Sequence, residues 1–252
     1  GTGGVSRWVS IFGLQVQFSE VAKILLAVVL AHYLATRVSR ISSATTLIGA
    51  GLVVLPMLAL VLIQPDLGTS LVFGAIMLGA LFFAGASLRW LAVTVLGVVA
   101  MVPVAWQFIL RDYQKQRLVA FLDPAADPLG SGYQLQQSQI TVGSGGLFGR
   151  GLTNTLAGQN LPVGSTDFVF AHVGEQLGFL GGFVVLTLFA LLIWRVLHVG
   201  WRSADSFPLA FSGGIAGMLL FQMIVNVGMV LGVMPITGIP LPFVTYGGAS
   251  LL

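Results

Sequence analysis

An all-α bundle of membrane-spanning helices with a long, partly structured outer loop is the fold class this sequence predicts. Three observations predict it. The chain of 252 residues is 56% hydrophobic and only 8% charged, with a mean hydropathy of +0.98, whereas an ordinary soluble domain carries roughly 25% charged residues. Apolar runs recur at the roughly 17–25 residues that a bilayer crossing takes. Basic residues in the short loops fall on alternate sides, as the positive-inside rule requires of a multi-pass protein.

Six complete spans are expected, at about 20–37, 45–64, 67–86, 88–110, 168–198 and 207–232, with a further one starting at 248, all within one membrane domain, 1–252. The run 168–198 exceeds one crossing. It reads as a single helix that tilts or stands out of the bilayer, not as two helices, with Gly178, Gly181 and Gly182 permitting close packing. Arg37 with Arg40, then Arg89, then Arg195 with Arg202 place their loops on the cytoplasmic side. The opposite loops are then external: Gly1–Ser19, the tight turn Gln64-Pro65-Asp66-Leu67-Gly68, the long segment 111–167 and the Pro- and Gly-rich Val233–Gly248. A loop as long as 111–167 is usually functional or disordered, and its specific polar residues favour a folded outer element. Gly1–Phe18 lack an initiator Met and any signal-peptide pattern. Leu252 falls just inside a further apolar segment, so the chain reads as cut at both ends.

Eleven Lys or Arg against eight acids give a formal charge of +3, too sparse for the clustered basic face of a nucleic-acid binder. With no cysteine, neither a disulfide framework nor a thiolate metal site can form. The absence of an internal repeat speaks against the paired halves of a secondary transporter.

Ionisable groups in or beside a bilayer are costly unless paired or wet, so Glu20, Lys23, Asp66, Asp167, His172 and Glu175 are the positions to weigh. Glu20 and Lys23, three apart, share a helix face and can offset each other; a packing ion pair and one wall of a polar cavity are equally good readings. Asp167, before the apolar run that starts at Phe168, is an N-cap candidate, and a cap can also be catalytic. Glu175 lies near the same face about 12 Å deeper by helical rise; His172 reads as structural. In the loop, Arg111, Lys115, Arg117 and Gln134 suit a pyrophosphate and a sugar, although isolated basic residues at a membrane edge more often meet lipid head groups. The Gly-rich stretch Gly143–Gly151 lacks the ending and preceding strand of a P-loop. No grouping has zinc-ligand spacing; Asp167 with Glu175 or phosphate oxygens could share a hard cation such as Mg or Mn.

The motifs resemble the SEDS family, the RodA and FtsW proteins of bacterial elongation and division, over essentially the whole chain, and RodA more than FtsW. The resemblance rests on Arg7-Trp8, Phe18-Ser19-Glu20-Val21-Ala22-Lys23, Gln64-Pro65-Asp66-Leu67-Gly68-Thr69-Ser70, Asp123-Pro124 and Gly130-Ser131-Gly132-Tyr133-Gln134. It continues through Gly143-Ser144-Gly145-Gly146-Leu147-Phe148-Gly149, Thr166-Asp167-Phe168 and Pro240-Leu241-Pro242-Phe243-Val244-Thr245-Tyr246-Gly247-Gly248.

That resemblance implies a family pattern of ten helices, of which this chain would hold the fourth to the ninth and the start of the tenth. It implies a peptidoglycan glycosyltransferase that polymerises lipid II at the outer face of the bacterial cytoplasmic membrane, with a class B penicillin-binding protein transpeptidase as partner. The required Asp of the Thr-Asp-Phe motif corresponds to Asp167 beside Thr166, and the Glu and Lys of the Ser-Glu-x-x-Lys motif to Glu20 and Lys23 of the cavity. Two positions depart from the pattern: Phe18 stands where the family commonly has Pro, and Val163 where relatives carry an acid. A mechanism needing two acids in that loop is thereby put in doubt. A lipid II flippase is the main alternative, and a seven-helix receptor a weaker one.

Overall fold

The computed structural model describes residues 9–11, 14–16, 18–151 and 166–245. Two three-residue strands, β1 (Val9–Ile11) and β2 (Leu14–Val16), pair antiparallel with Val9 opposite Val16. The sequence reading treats this stretch as loop. Everything else regular is helical: α1 (Phe18–Ala35), α2 (Ala44–Ile63), α3 (Leu67–Phe83), α4 (Leu88–Phe108), α5 (Asp112–Leu122), α6 (Ser131–Ser144), α7 (Val169–Arg202) and α8 (Ser206–Val230). Five of these are long and apolar enough to cross a membrane, and α3, at 17 residues, is a shorter apolar helix. All six expected spans therefore exist as helices; the one expected from 248 lies outside the described residues.

The chain forms two compact units, one of residues 1–104, 192–221 and 247–252, the other of 105–191 and 222–246. In the first, α1 buries Lys23, Leu26, Ala27, Leu30, Ala31 and Leu34, the three- and four-residue spacing of a helix face. α3 meets α8 through small residues: a side chain on Gly79 would run into the carbonyl of Gly213, and one on Gly217 would lie 2.7 Å from that of Ala75. Lipid tails supply no hydrophobic drive between helices, so backbones that approach this closely gain their attraction from packing. Outward residues such as Ile48, Leu52, Leu55 and Leu60 of α2 are exposed, as a lipid-facing surface allows. Asp66 starts α3: its carboxylate accepts from the backbone N–H of Thr69 (3.0 Å) and its hydroxyl (2.9 Å), an N-cap that accounts for its place beside an apolar run.

The second unit is built on the long loop 111–167. The expectation that 111–167 is partly folded is met by α5 and α6; residues 152–165 lie outside the described set. Its core joins Leu135 of α6, Phe168, Phe170, Ala171 and Phe189, Met229 and Val230 of α8, and Ile236 and Leu241 beyond it. Buried Ser138 can donate to the carbonyl of Leu135 (2.8 Å) or of Val230 (3.1 Å), the latter tying α6 to the end of α8.

The reading of 168–198 as one over-long helix is corrected. Gly178 has φ 68 and ψ −165, so α7 is two helices, 169–177 and 179–202, and the cause is a backbone break instead of length alone. The broken ends are served by the Gly-rich segment. Phe179 and Leu180 N–H donate to the carbonyls of Gly146 (2.9 Å) and Leu147 (3.2 Å), while Arg150 and Gly151 N–H donate to those of Glu175 (2.9 Å) and Gln176 (3.1 Å). A side chain at Gly178 would collide with Gly149 N and, at 2.6 Å, with Leu147 O. Irregular backbone near a membrane persists only where protein re-satisfies its polar groups, and this clasp does so with main chain alone. The Gly-rich stretch thus has a structural task, closing the break at Gly178.

Candidate active site

Asp167 sits in a single 3-10 turn, Thr166–Phe168, leading into α7. The turn is anchored by Phe168, 1% exposed, and Ala171, fully buried, while Asp167 itself is half-buried. Its backbone is held from α8: the amide of Asn226, wholly buried, donates to the carbonyl of Asp167 and to that of Ile239, both at 2.9 Å. One side chain therefore fastens the Asp167 turn to the segment after α8. That segment turns at Gly238, φ +74 and exposed.

Arg117 approaches from α5. Its guanidinium carbon lies 5.8 Å from the centre of the Tyr113 ring, a cation–π distance. A methyl group on Gly238 would lie 3.7 Å from Arg117 Nη1 and 3.5 Å from Asp167 Oδ2. Carboxylate and guanidinium thus both border the position that a Gly238 side chain would take. Three separate stretches of sequence meet there, and only Asp167 and Arg117 were identifiable as candidates beforehand.

The other candidates fall elsewhere. Arg111, exposed, precedes α5, and its N–H donates to buried Gln114 Oε1 (2.9 Å). Lys115 borders an open hollow of about 350 Å³ together with the carboxylates of Asp112 and Asp127. Gln134 is half-buried on α6. Thr166 is placed by its backbone in the Asp167 turn. Glu175 is fully buried, three residues before the Gly178 break, and its carbonyl belongs to the clasp. His172 Nδ1 lies 3.2 Å from the carbonyl of Phe168, consistent with a structural part. In the other unit, Glu20 and Lys23 form an ion pair at 2.5 Å, with Lys23 only 3% exposed and Glu20 17%. Among the described residues no three His, Asp or Glu side chains gather as a metal site.

Asn226 and Gly238 carry no ionisable group, so an expectation built on charges beside apolar runs does not reach them. A signal was present: Asn226 interrupts the apolar run Ile224-Val225-Asn226-Val227, and polar residues amid a spanning helix commonly bond across to another segment.

Fold and site together define a polytopic helical membrane protein with an acidic, arginine-flanked site where the long loop enters a helix. The chain belongs to the FtsW/RodA/SpoVE family, whose description is "cell cycle protein" and whose profile matches residues 2–252. It is 41% identical over 251 residues to the peptidoglycan glycosyltransferase MrdB of Escherichia coli K12, covering 99% of this chain and 68% of that protein. To the stage V sporulation protein E of Bacillus subtilis it is 35% identical over 255 residues, covering 98% and 68%. Among solved structures, a chain of a peptidoglycan synthase complex coordinating polymerization and crosslinking matches with TM-score 0.81 and 36% identity, covering all of this chain and 70% of that one. The rod shape determining protein RodA of Thermus thermophilus matches with TM-score 0.65 and 31% identity, covering 100% and 66%.

Proposed function

We propose that this protein is a peptidoglycan glycosyltransferase of cell elongation that polymerises lipid II at the outer face of the bacterial cytoplasmic membrane. The observation that carries the site assignment is the shared space bordered by Asp167 Oδ2 and Arg117 Nη1; similarity to the glycosyltransferases above supports the activity. In the reaction, the 4-hydroxyl oxygen of the acceptor's terminal GlcNAc forms a bond to the anomeric carbon of a lipid II MurNAc. The bond from that carbon to the pyrophosphate oxygen breaks, and its electron pair leaves with undecaprenyl pyrophosphate. Asp167 takes the hydroxyl proton as general base. An aspartate is a weak base on its own, so positioning of two membrane-tethered substrates supplies much of the acceleration. Arg117 lies where it can face the reacting oxygen as charge develops; Arg111, Lys115 and Gln134 are candidate contacts for the sugar and pyrophosphate. Glu20 and Lys23 are proposed to line the substrate cavity. A class B penicillin-binding protein that crosslinks the product is the proposed partner, in keeping with the synthase complex that this chain resembles.

The test is lipid II polymerisation by the protein reconstituted with such a transpeptidase. Asp167→Asn is expected to lower the rate by about 10²–10⁴, the usual worth of a general base. Full activity in folded Asp167→Asn would remove the base assignment, and lipid II crossing liposomes with no strands formed would favour the flippase reading.

A further inference from the structure

We infer that Gly238 is a specificity-determining position of this site: its missing side chain leaves the room in which a sugar hydroxyl bridges Asp167 and Arg117. The inference rests on the reading of Asp167 as the base. A methyl at Gly238 would make ordinary van der Waals contact, 3.5 Å from Asp167 Oδ2 and 3.7 Å from Arg117 Nη1, so a group at that place touches both side chains. The chemistry of its two walls selects the group. A carboxylate takes a hydrogen-bond donor and repels an anion; a guanidinium only donates. A hydroxyl satisfies both at once, whereas a phosphate oxygen would be repelled by Asp167. Arg117 therefore serves the acceptor sugar, not the leaving pyrophosphate. Its fixed positive charge then faces the oxygen from which Asp167 withdraws the proton.

Two further features fit. The space is reachable, since Gly238 is exposed, and it is held in register, since buried Asn226 bonds both Asp167 and Ile239, the residue after the glycine. Thr237 Oγ1 and Asn226 Oδ1, on the same support, are buried without a hydrogen-bond partner, so acceptor capacity remains beside the turn.

The competing explanation is conformational. At φ +74 a glycine is favoured whatever surrounds it. Two substitutions separate the explanations, because Asn enters the left-handed region several-fold more readily than other non-glycine residues yet is larger than Ala. If the glycine matters for space, Gly238→Asn is the worse variant; if for backbone alone, Gly238→Ala is.

The experiment measures lipid II polymerisation rates of the full protein with its transpeptidase partner, for Gly238→Ala, Gly238→Asn and Asp167→Asn, each matched for thermal unfolding in detergent. A drop of about 10-fold for Ala and about 100-fold for Asn is expected, the scale of a misplaced reacting group. Asn as active as Ala, or more so, overturns the inference while leaving Asp167 as base if Asp167→Asn is inactive. An active Asp167→Asn overturns the base reading and this inference with it. If Gly238→Asn does not fold, the cycle of Gly238→Ala with Arg117→Lys decides: non-additive losses support a shared space, and additive ones overturn it.

Discussion

In the unit containing α1, α2 and α3, Glu20 and Lys23 meet within a single turn of one helix, with Lys23 buried and Glu20 half-buried. In the other unit, Asp167 and Arg117 reach one space from a 3-10 turn and from α5, with Gly238 contributed by the segment after α8. The first arrangement is coded by spacing in one helix. The second depends on a scaffold: the Asn226 brace, the Phe168 anchor and the clasp at Gly178. An error at a distance should therefore disturb the second and leave the first intact.

Asp167→Asn should give the largest effect, the loss of strand synthesis described above, with no change in unfolding temperature. Next, Glu20→Gln leaves the Lys23 ammonium buried without its counter-charge and should destabilise by about 3–5 kcal/mol, most of it recovered in Glu20→Gln/Lys23→Met. Denaturant unfolding in detergent measures this, and equal stability of single and double variants would show the pair to be solvated after all. Gly178→Ala places a Cβ at positive φ, costing about 1–3 kcal/mol before the contact with Leu147 O is counted. Faster proteolysis within 146–151 should accompany it, and an unchanged cleavage pattern would argue against the clasp. Ser138→Ala should be mildest, about 0.5–1.5 kcal/mol for one buried hydrogen bond. Melting curves that overlay wild type would show that α6 needs no tie to α8.

Local pattern made the spans legible to within a few residues, because 18 to 25 apolar residues announce themselves and their caps are short-range: Asp66 and Ser43 both accept from a backbone N–H three residues on. The Glu20–Lys23 pair was legible for the same reason. Asp167 stood out as an acid beside an apolar run, and its assignment drew on the family motif. The break at Gly178 was not legible, since three glycines in an apolar helix fit close packing as well as interruption, and what decides is a segment about thirty residues earlier. Gly238 was hidden more deeply. A glycine carries no chemistry of its own, and the meaning of its empty side depends on which charged ends arrive there.

The clasp has a mechanical consequence. A joint made of four backbone hydrogen bonds has no titrating donor or acceptor and no formal charge for salt to screen, so neither acidity nor ionic strength gives a direct handle on it. Residues 169–177, through Glu175 and Gln176, and the start of the following helix, through Phe179 and Leu180, are bolted to the same segment, 146–151. Any displacement of that segment bears on both ends of the break at once, and it needs no change of charge.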